Sequence, residues 1–211
     1  VLAAYLIGLA AVLDFLDGFL ARLLKAHSSI GKELDSLADC VTFGVLPAVI
    51  VFDLFRRSFP YTTLETDPIP LLCYLAFLIA IFSALRLAKF NVDTRQTHSF
   101  IGVPTPANAI LIASLPLIMD SVFYASILIL NQAFLIGLTL LMSYLLVAEF
   151  ELFALKFKHY GWSGNQIKYI FLILSVVLLG WLHYVAIPLI IFLYILFSLA
   201  ENWFGKKKLS N

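Results

Sequence analysis

Seven stretches of this chain are apolar and long: residues 1–24, 30–55, 69–90, 104–123, 127–148, 167–182 and 186–204. Several approach or exceed the roughly 18–20 residues that cross a bilayer as a helix. Only 13% of the chain is charged, about half the share of a soluble domain, and the mean hydropathy is +0.99. A transmembrane barrel would show short alternating segments instead. The expected fold is therefore all-α, a polytopic transmembrane helical bundle of about seven membrane helices in a single domain spanning residues 1–211. The last two stretches cannot form one helix, which at 1.5 Å per residue would be roughly 55 Å long. Gly180, His183 and Pro188 predict a tight turn between them. Pro104, Pro106 and Pro116 place the start of the fourth helix near Thr105 and predict a kink in it. Asn165 or Ser163 is the expected cap of the sixth.

The charges sort by side. With the connection around residues 22–32 placed in the cytoplasm, Arg22, Lys25, Lys32, Arg86, Lys89, Arg95, Lys156, Lys158, Lys168, Lys206, Lys207 and Lys208 all fall at cytoplasmic ends. Only Arg56 and Arg57 face the other side, a strong positive-inside bias. Cys40 and Cys73 form no metal or redox pattern and read as small buried hydrophobes. The chain opens on an apolar run without Met, which predicts a truncated sequence with at least one further helix before it. No internal repeat is evident.

Four aspartates interrupt the first two apolar stretches, in the pattern Asp14-x2-Asp17-Gly18-x2-Ala21-Arg22-x8-Gly31-x3-Asp35-x3-Asp39. An ionised Asp at the centre of a membrane helix costs about 2.5–3.5 kcal/mol on insertion scales, so four together need compensation. In a helical hairpin turning near Ala26 and His27, Asp14 lies level with Asp39 and Asp17 with Asp35. The i,i+3 and i,i+4 spacings put each pair on one face. Carboxylates that close repel unless a cation intervenes, and oxygen-only ligands suit Mg²⁺, Mn²⁺ or Ca²⁺ rather than Zn²⁺. Gly18 and Gly31 leave room beside the cluster, and Arg22 is placed for a phosphate or a carboxylate. Each feature has a plainer reading alone: an Asp paired with a lysine, packing glycines, anchoring basic residues. Their conjunction points to metal-assisted phosphoryl chemistry.

With all eight fixed positions filled, this pattern resembles the signature of the CDP-alcohol phosphotransferase family. The run Gly31-Lys32-Glu33-Leu34-Asp35-Ser36-Leu37-Ala38-Asp39, followed by Phe43-Gly44 and Pro47-Ala48, resembles the membrane-embedded phosphatidylserine synthases within it. So do Ala84-Leu85-Arg86-Leu87-Ala88-Lys89-Phe90-Asn91 and Gly102-Val103-Pro104-Thr105-Pro106-Ala107. The resemblance covers the chain to about Ala109, and it implies that the family's first transmembrane helix would precede this sequence. It implies that Asp14, Asp17 and Asp35 hold two divalent cations, Mg²⁺ or Mn²⁺, on the pyrophosphate of CDP-diacylglycerol. Asp39 would also face the metals and would be the general base. Gly18, Ala21, Arg22 and Gly31 would line the cytidine nucleotide pocket. The implied reaction gives phosphatidylserine and CMP from CDP-diacylglycerol and L-serine, at the cytoplasmic face of the cell membrane. The implied partners are those two substrates, membrane lipid and a second copy in a homodimer, with no nucleic acid.

For the serine, Arg86 is the first candidate to meet the carboxylate, then Lys89 and Arg95, with Asn91 or Thr42 adding a polar contact. The active-site cavity is expected to be capped by sequence near Phe157 and Trp162, and the cluster Lys206–Lys208 suits anionic lipid. A rival reading keeps the chemistry and changes the acceptor to glycerol 3-phosphate, inositol phosphate or another alcohol. A cation transporter using the aspartates is a rival of another class, disfavoured because all four come from one hairpin without a repeat. A structural subunit would leave four buried charges unexplained.

Overall fold

The computed structural model describes residues 1–25, 28–60, 69–93, 100–152, 161 and 165–209, with the side chains of 100, 151 and 200–209 outside the description. Leu-, Ala-, Ile- and Phe-rich sequence that must satisfy its own backbone in lipid has the helix as its open-chain solution, and most of each apolar stretch is helical among the described residues. Helix α1 is Leu2–Leu23. Helix α2, Ser29–Asp39, runs through a π-helical turn, Cys40–Val45, into α3, Leu46–Arg57. A 3₁₀ segment, Leu71–Phe77, leads into α4, Leu78–Val92. Then come α5, Thr105–Ser121, the short α6, Ala125–Ile129, and α7, Gln132–Val147. The chain closes with α8, Gln166–Leu182, a 3₁₀ turn at His183–Val185, and α9, Ala186–Leu209.

Among the described residues, four helical runs are long and apolar enough to cross a membrane: Leu2–Leu23, Ser29–Arg57, Leu71–Val92 and Gln166–Leu199. The last folds back on itself. His183 has a positive φ of 50°, and the Phe171 ring lies 5.7 Å from that of Tyr194 and 6.4 Å from that of Phe197. In a straight helix those residues would be more than about 30 Å apart. The turn expected from Gly180, His183 and Pro188 is therefore present.

Other local expectations need correction. The fifth apolar stretch is broken at Leu130–Asn131, because the Asn131 side chain accepts from the Phe134 amide at 3.2 Å and starts a new helix. The third begins as 3₁₀ helix rather than α-helix. Asn165 precedes α8, but its side chain makes no capping bond there; its amide donates to the Gly161 carbonyl at 3.0 Å. Ser163, like Phe157 and Trp162, lies outside the described residues. Helix α5 does begin at Thr105 and carries Pro116 in its interior. Cys73 is buried as expected, while Cys40 is half-buried.

Helix α5 is the centre of the bundle, packed against α1, α3 and α9. Ile7, Phe43, Val51, Phe55, Ile79, Leu111, Ile112, Leu135 and Met142 form the fully enclosed core. One end of the bundle is organised by the segment before α5. Gly102 adopts φ +73° and crosses so close to the end of α7 that a Cβ there would meet the Leu146 carbonyl oxygen at 2.8 Å. The neighbouring Val103 amide donates to the Leu145 carbonyl at 2.9 Å. Beyond it, Phe100–Ile101 and Glu151–Leu152 form a two-residue antiparallel bridge.

Candidate active site

Helix α2 is unlike the others: it buries no residue, whereas α3, in the same run, buries six. Its start is fixed by Ser28, whose hydroxyl accepts from the Gly31 amide at 3.0 Å, a standard N-cap. The π turn follows directly on Asp39. Such turns widen the helix by one residue and recur at functional sites. Here it separates an exposed, carboxylate-bearing half from a buried, apolar half.

The hairpin of α1 and α2 brings three of the four aspartates together. One carboxylate oxygen each from Asp14, Asp35 and Asp39 lies within 4.8 Å of the others. Asp14 and Asp39 are half-buried and Asp35 is exposed. Asp17 is outside that trio but lines a cavity of about 570 Å³ with Gly18, Ala21, Arg22, Gly31 and Asp35. That volume lies within the usual range for small-molecule sites. All four residues expected to form a nucleotide pocket thus border one cavity, next to the carboxylates. The Arg22 Nε donates to the Gly18 carbonyl at 2.8 Å, which folds the guanidinium along α1 toward the cavity. Three carboxylates so close form an oxygen-only donor set that could hold a hard divalent cation.

Helix α4 runs beside α2 and the π turn in a fixed antiparallel register. The Asn91 amide donates to the Ser36 hydroxyl at 2.9 Å. Two turns away, a Cβ on Gly44 would lie 3.0 Å from the Ser83 Cβ. Both contacts fit one alignment, in which Ala88 is level with Asp39 and Arg86 with Val41. The residues expected to meet an amino-acid acceptor separate accordingly. Arg86 is only 5% exposed; its guanidinium lies over the Phe90 ring at 5.3 Å, and its Nε has no hydrogen-bond partner. Asn91 is engaged with Ser36, Thr42 is half-buried in the π turn, and Lys89 is exposed. Arg95 lies outside the described residues.

Among the described residues, three further polar residues, unremarked in the sequence, are buried without hydrogen-bond partners for their side chains. They are Asn108 on α5, through both amide atoms, Ser83 on α4 and Ser143 on α7. The available signal was weak: Asn108 is the one carboxamide in the stretch 104–123, and single serines in apolar helices are common.

Comparison with known proteins is consistent with this geometry. Residues 1–181 match the family described as CDP-alcohol phosphatidyltransferase. A Bacillus subtilis protein named CDP-diacylglycerol–serine O-phosphatidyltransferase is 38% identical over 148 residues, 70% of each chain. A Helicobacter pylori protein of the same name is 37% identical over 126 residues, 59% of this chain and 49% of its own. A Methanocaldococcus jannaschii protein, again so named, is 35% identical over 136 residues, 64% of this chain and 59% of its own. The chain thus spans about half the length of the Helicobacter relative.

Proposed function

The chain belongs to the CDP-alcohol phosphatidyltransferase family, and from that premise we propose that it transfers a phosphatidyl group from CDP-diacylglycerol to L-serine, giving phosphatidylserine and CMP. The observation that carries the reading is the convergence of Asp14, Asp35 and Asp39 within 4.8 Å, beside a cavity lined by Asp17, Gly18, Ala21, Arg22 and Gly31. The choice of serine follows the names of the relatives.

In this reading Asp14, Asp17 and Asp35 would hold two divalent cations, Mg²⁺ or Mn²⁺, with Asp39 also contributing to that carboxylate cluster. Such cations, when bound, neutralise the pyrophosphate and the CMP that leaves. The chain's own residues do the rest. Gly18, Ala21, Arg22 and Gly31 seat the cytidine nucleotide, with the Arg22 guanidinium available to a phosphate oxygen. Asp39 takes the proton from the serine hydroxyl. The serine oxygen then bonds to the phosphorus that carries diacylglycerol, and the bond from that phosphorus to the CMP oxygen breaks. No His or Cys accompanies the cluster among the described residues, so direct in-line attack is favoured over a covalent intermediate. Arg86 is the first candidate for the serine carboxylate. The site faces the cytoplasm of the cell membrane, and the enzyme works as a homodimer.

The test is CMP release by purified protein in lipid with CDP-diacylglycerol, Mn²⁺ or Mg²⁺, and one candidate alcohol at a time. The expected result is serine-dependent release, lost with a chelator and reduced about 10²–10⁴-fold in Asp39→Asn, the range for a lost general base. Release with glycerol 3-phosphate or inositol phosphate in place of serine would overturn the acceptor and keep the chemistry.

A further inference from the structure

Four side chains, Arg86, Asn108, Ser83 and Ser143, are at most 5% exposed and each leaves at least one polar atom without a partner. Leaving a buried polar group unsatisfied is costly to the fold. All three helices that carry them converge on the end of the bundle that holds the carboxylates. Arg86 lies in the last two turns of α4, whose end is tied to α2 by the bond from Asn91 to Ser36. Asn108 lies in the first turn of α5 and Ser143 in the last two turns of α7, and these two ends are tied by the bond from Val103 to Leu145. Helix α5 also packs on the π turn that follows Asp39.

We propose that Asn108, with Arg86, recognises the charged α-ammonium and α-carboxylate of an amino-acid acceptor, and so selects it over phosphorylated alcohols; this rests on the reading of the protein as a serine-dependent transferase. The donor and acceptor inventory matches that ligand. Arg86 offers only donors and suits a carboxylate, whereas Asn108 offers an acceptor oxygen for the ammonium and an NH₂ for the carboxylate. The Ser83 and Ser143 hydroxyls can serve either group. One buried guanidinium balances a single carboxylate charge; an acceptor carrying a phosphate would bring nearly two negative charges to it. A site built to hydrogen-bond a substrate group rejects analogues that lack it, because its own buried atoms are then left unpaired.

The experiment uses the full chain in lipid nanodiscs, with CMP release measured against serine, 3-hydroxypropionate (no ammonium), ethanolamine (no carboxylate) and glycerol 3-phosphate. In Asn108→Ala the KM for serine is expected to rise tenfold or more while the KM for CDP-diacylglycerol stays within twofold. The preference for serine over 3-hydroxypropionate is expected to narrow by a similar factor. Asn108→Ser, which retains a hydroxyl and is the fallback if the alanine variant does not fold, is expected to fall between the two. An unchanged serine KM in either folded variant overturns the proposal, as does an equal loss for both substrates with a lower melting temperature, the mark of a structural amide. Serine use by the wild type with no effect at Asn108 sinks this assignment alone. Wild-type preference for glycerol 3-phosphate sinks the serine reading together with it.

Discussion

Gly18 and Gly31 look equivalent in the sequence, as two small residues beside carboxylates, and the structure gives them different reasons. A Cβ at Gly31 would lie 2.8 Å from the Ser28 hydroxyl oxygen, the atom that caps α2. A Cβ at Gly18 would meet nothing nearer than the Arg22 guanidinium, at 3.8 Å, an ordinary contact. The protein alone therefore resists a Cβ at position 31, where it would displace the capping hydroxyl, and does not resist one at position 18. Glycine inside a helix costs about 1 kcal/mol relative to alanine, so Gly18→Ala is expected to hold or raise the melting temperature while weakening CDP-diacylglycerol, read as a higher KM. In Gly31→Ala the displaced cap costs about 1 kcal/mol, which offsets the same helix gain, so its melting temperature is expected to fall below that of Gly18→Ala, with activity lowered as well. A Gly18→Ala enzyme with wild-type KM would mean that no ligand approaches there, and the reading of the cavity as a nucleotide pocket would lose its closest wall.

At the level of elements, the site depends on how α4 lies against α2 and the π turn. Gly44 allows that approach, with only 3.0 Å between its hypothetical Cβ and that of Ser83. Gly44→Val is expected to force the two apart by several tenths of an ångström or more, at a cost of about 1–3 kcal/mol for overpacking. The measurable outcome is a lower melting temperature with a raised serine KM, since Arg86 and Asn91 move with α4; a variant that melts and binds like wild type would show that the register is not held there. The aspartate site was legible in the sequence because it lies on one hairpin, where distance from the turn sets depth and i,i+3 and i,i+4 spacing sets the face. That the chain is a bundle of apolar helices long enough to cross a membrane was legible for a similar local reason. Asn108, Ser83 and Ser143 were not, because their meaning lies in being buried without partners, which depends on how α4, α5 and α7 pack on one another. The helix break at Asn131 was a missed cap inside an apolar run, where hydropathy outweighed a single Asn.

For the molecule as a whole, the outer faces are apolar: Leu2 is 73% exposed, Phe15 66% and Trp181 80%, surfaces suited to lipid rather than water. Orientation within the lipid rests on charge. Arg22, Lys25, Lys32 and Lys89 lie at the end of the bundle that holds the carboxylates, with the candidate cavity. At the other end Arg56 and Arg57 are the exceptions to the positive-inside pattern, and both lean on Asp53, at 4.0 and 2.7 Å. Their charge is partly offset, so they oppose the orientation less than two free arginines would. The carboxylate end is therefore expected in the cytoplasm, where a soluble acceptor and released CMP can exchange. Single cysteines in a Cys40→Ala, Cys73→Ala background that still releases CMP would report this, because the two native thiols are the only ones in the chain. Glu33→Cys on exposed α2 and Pro60→Cys beyond α3 mark the two ends without touching the cavity lining. A membrane-impermeant maleimide is expected to label position 60 in intact cells and position 33 only in inverted vesicles. The reverse pattern would put the carboxylates outside, away from a cytoplasmic nucleotide pool, and the transferase reading would then have to explain how CDP-diacylglycerol reaches them.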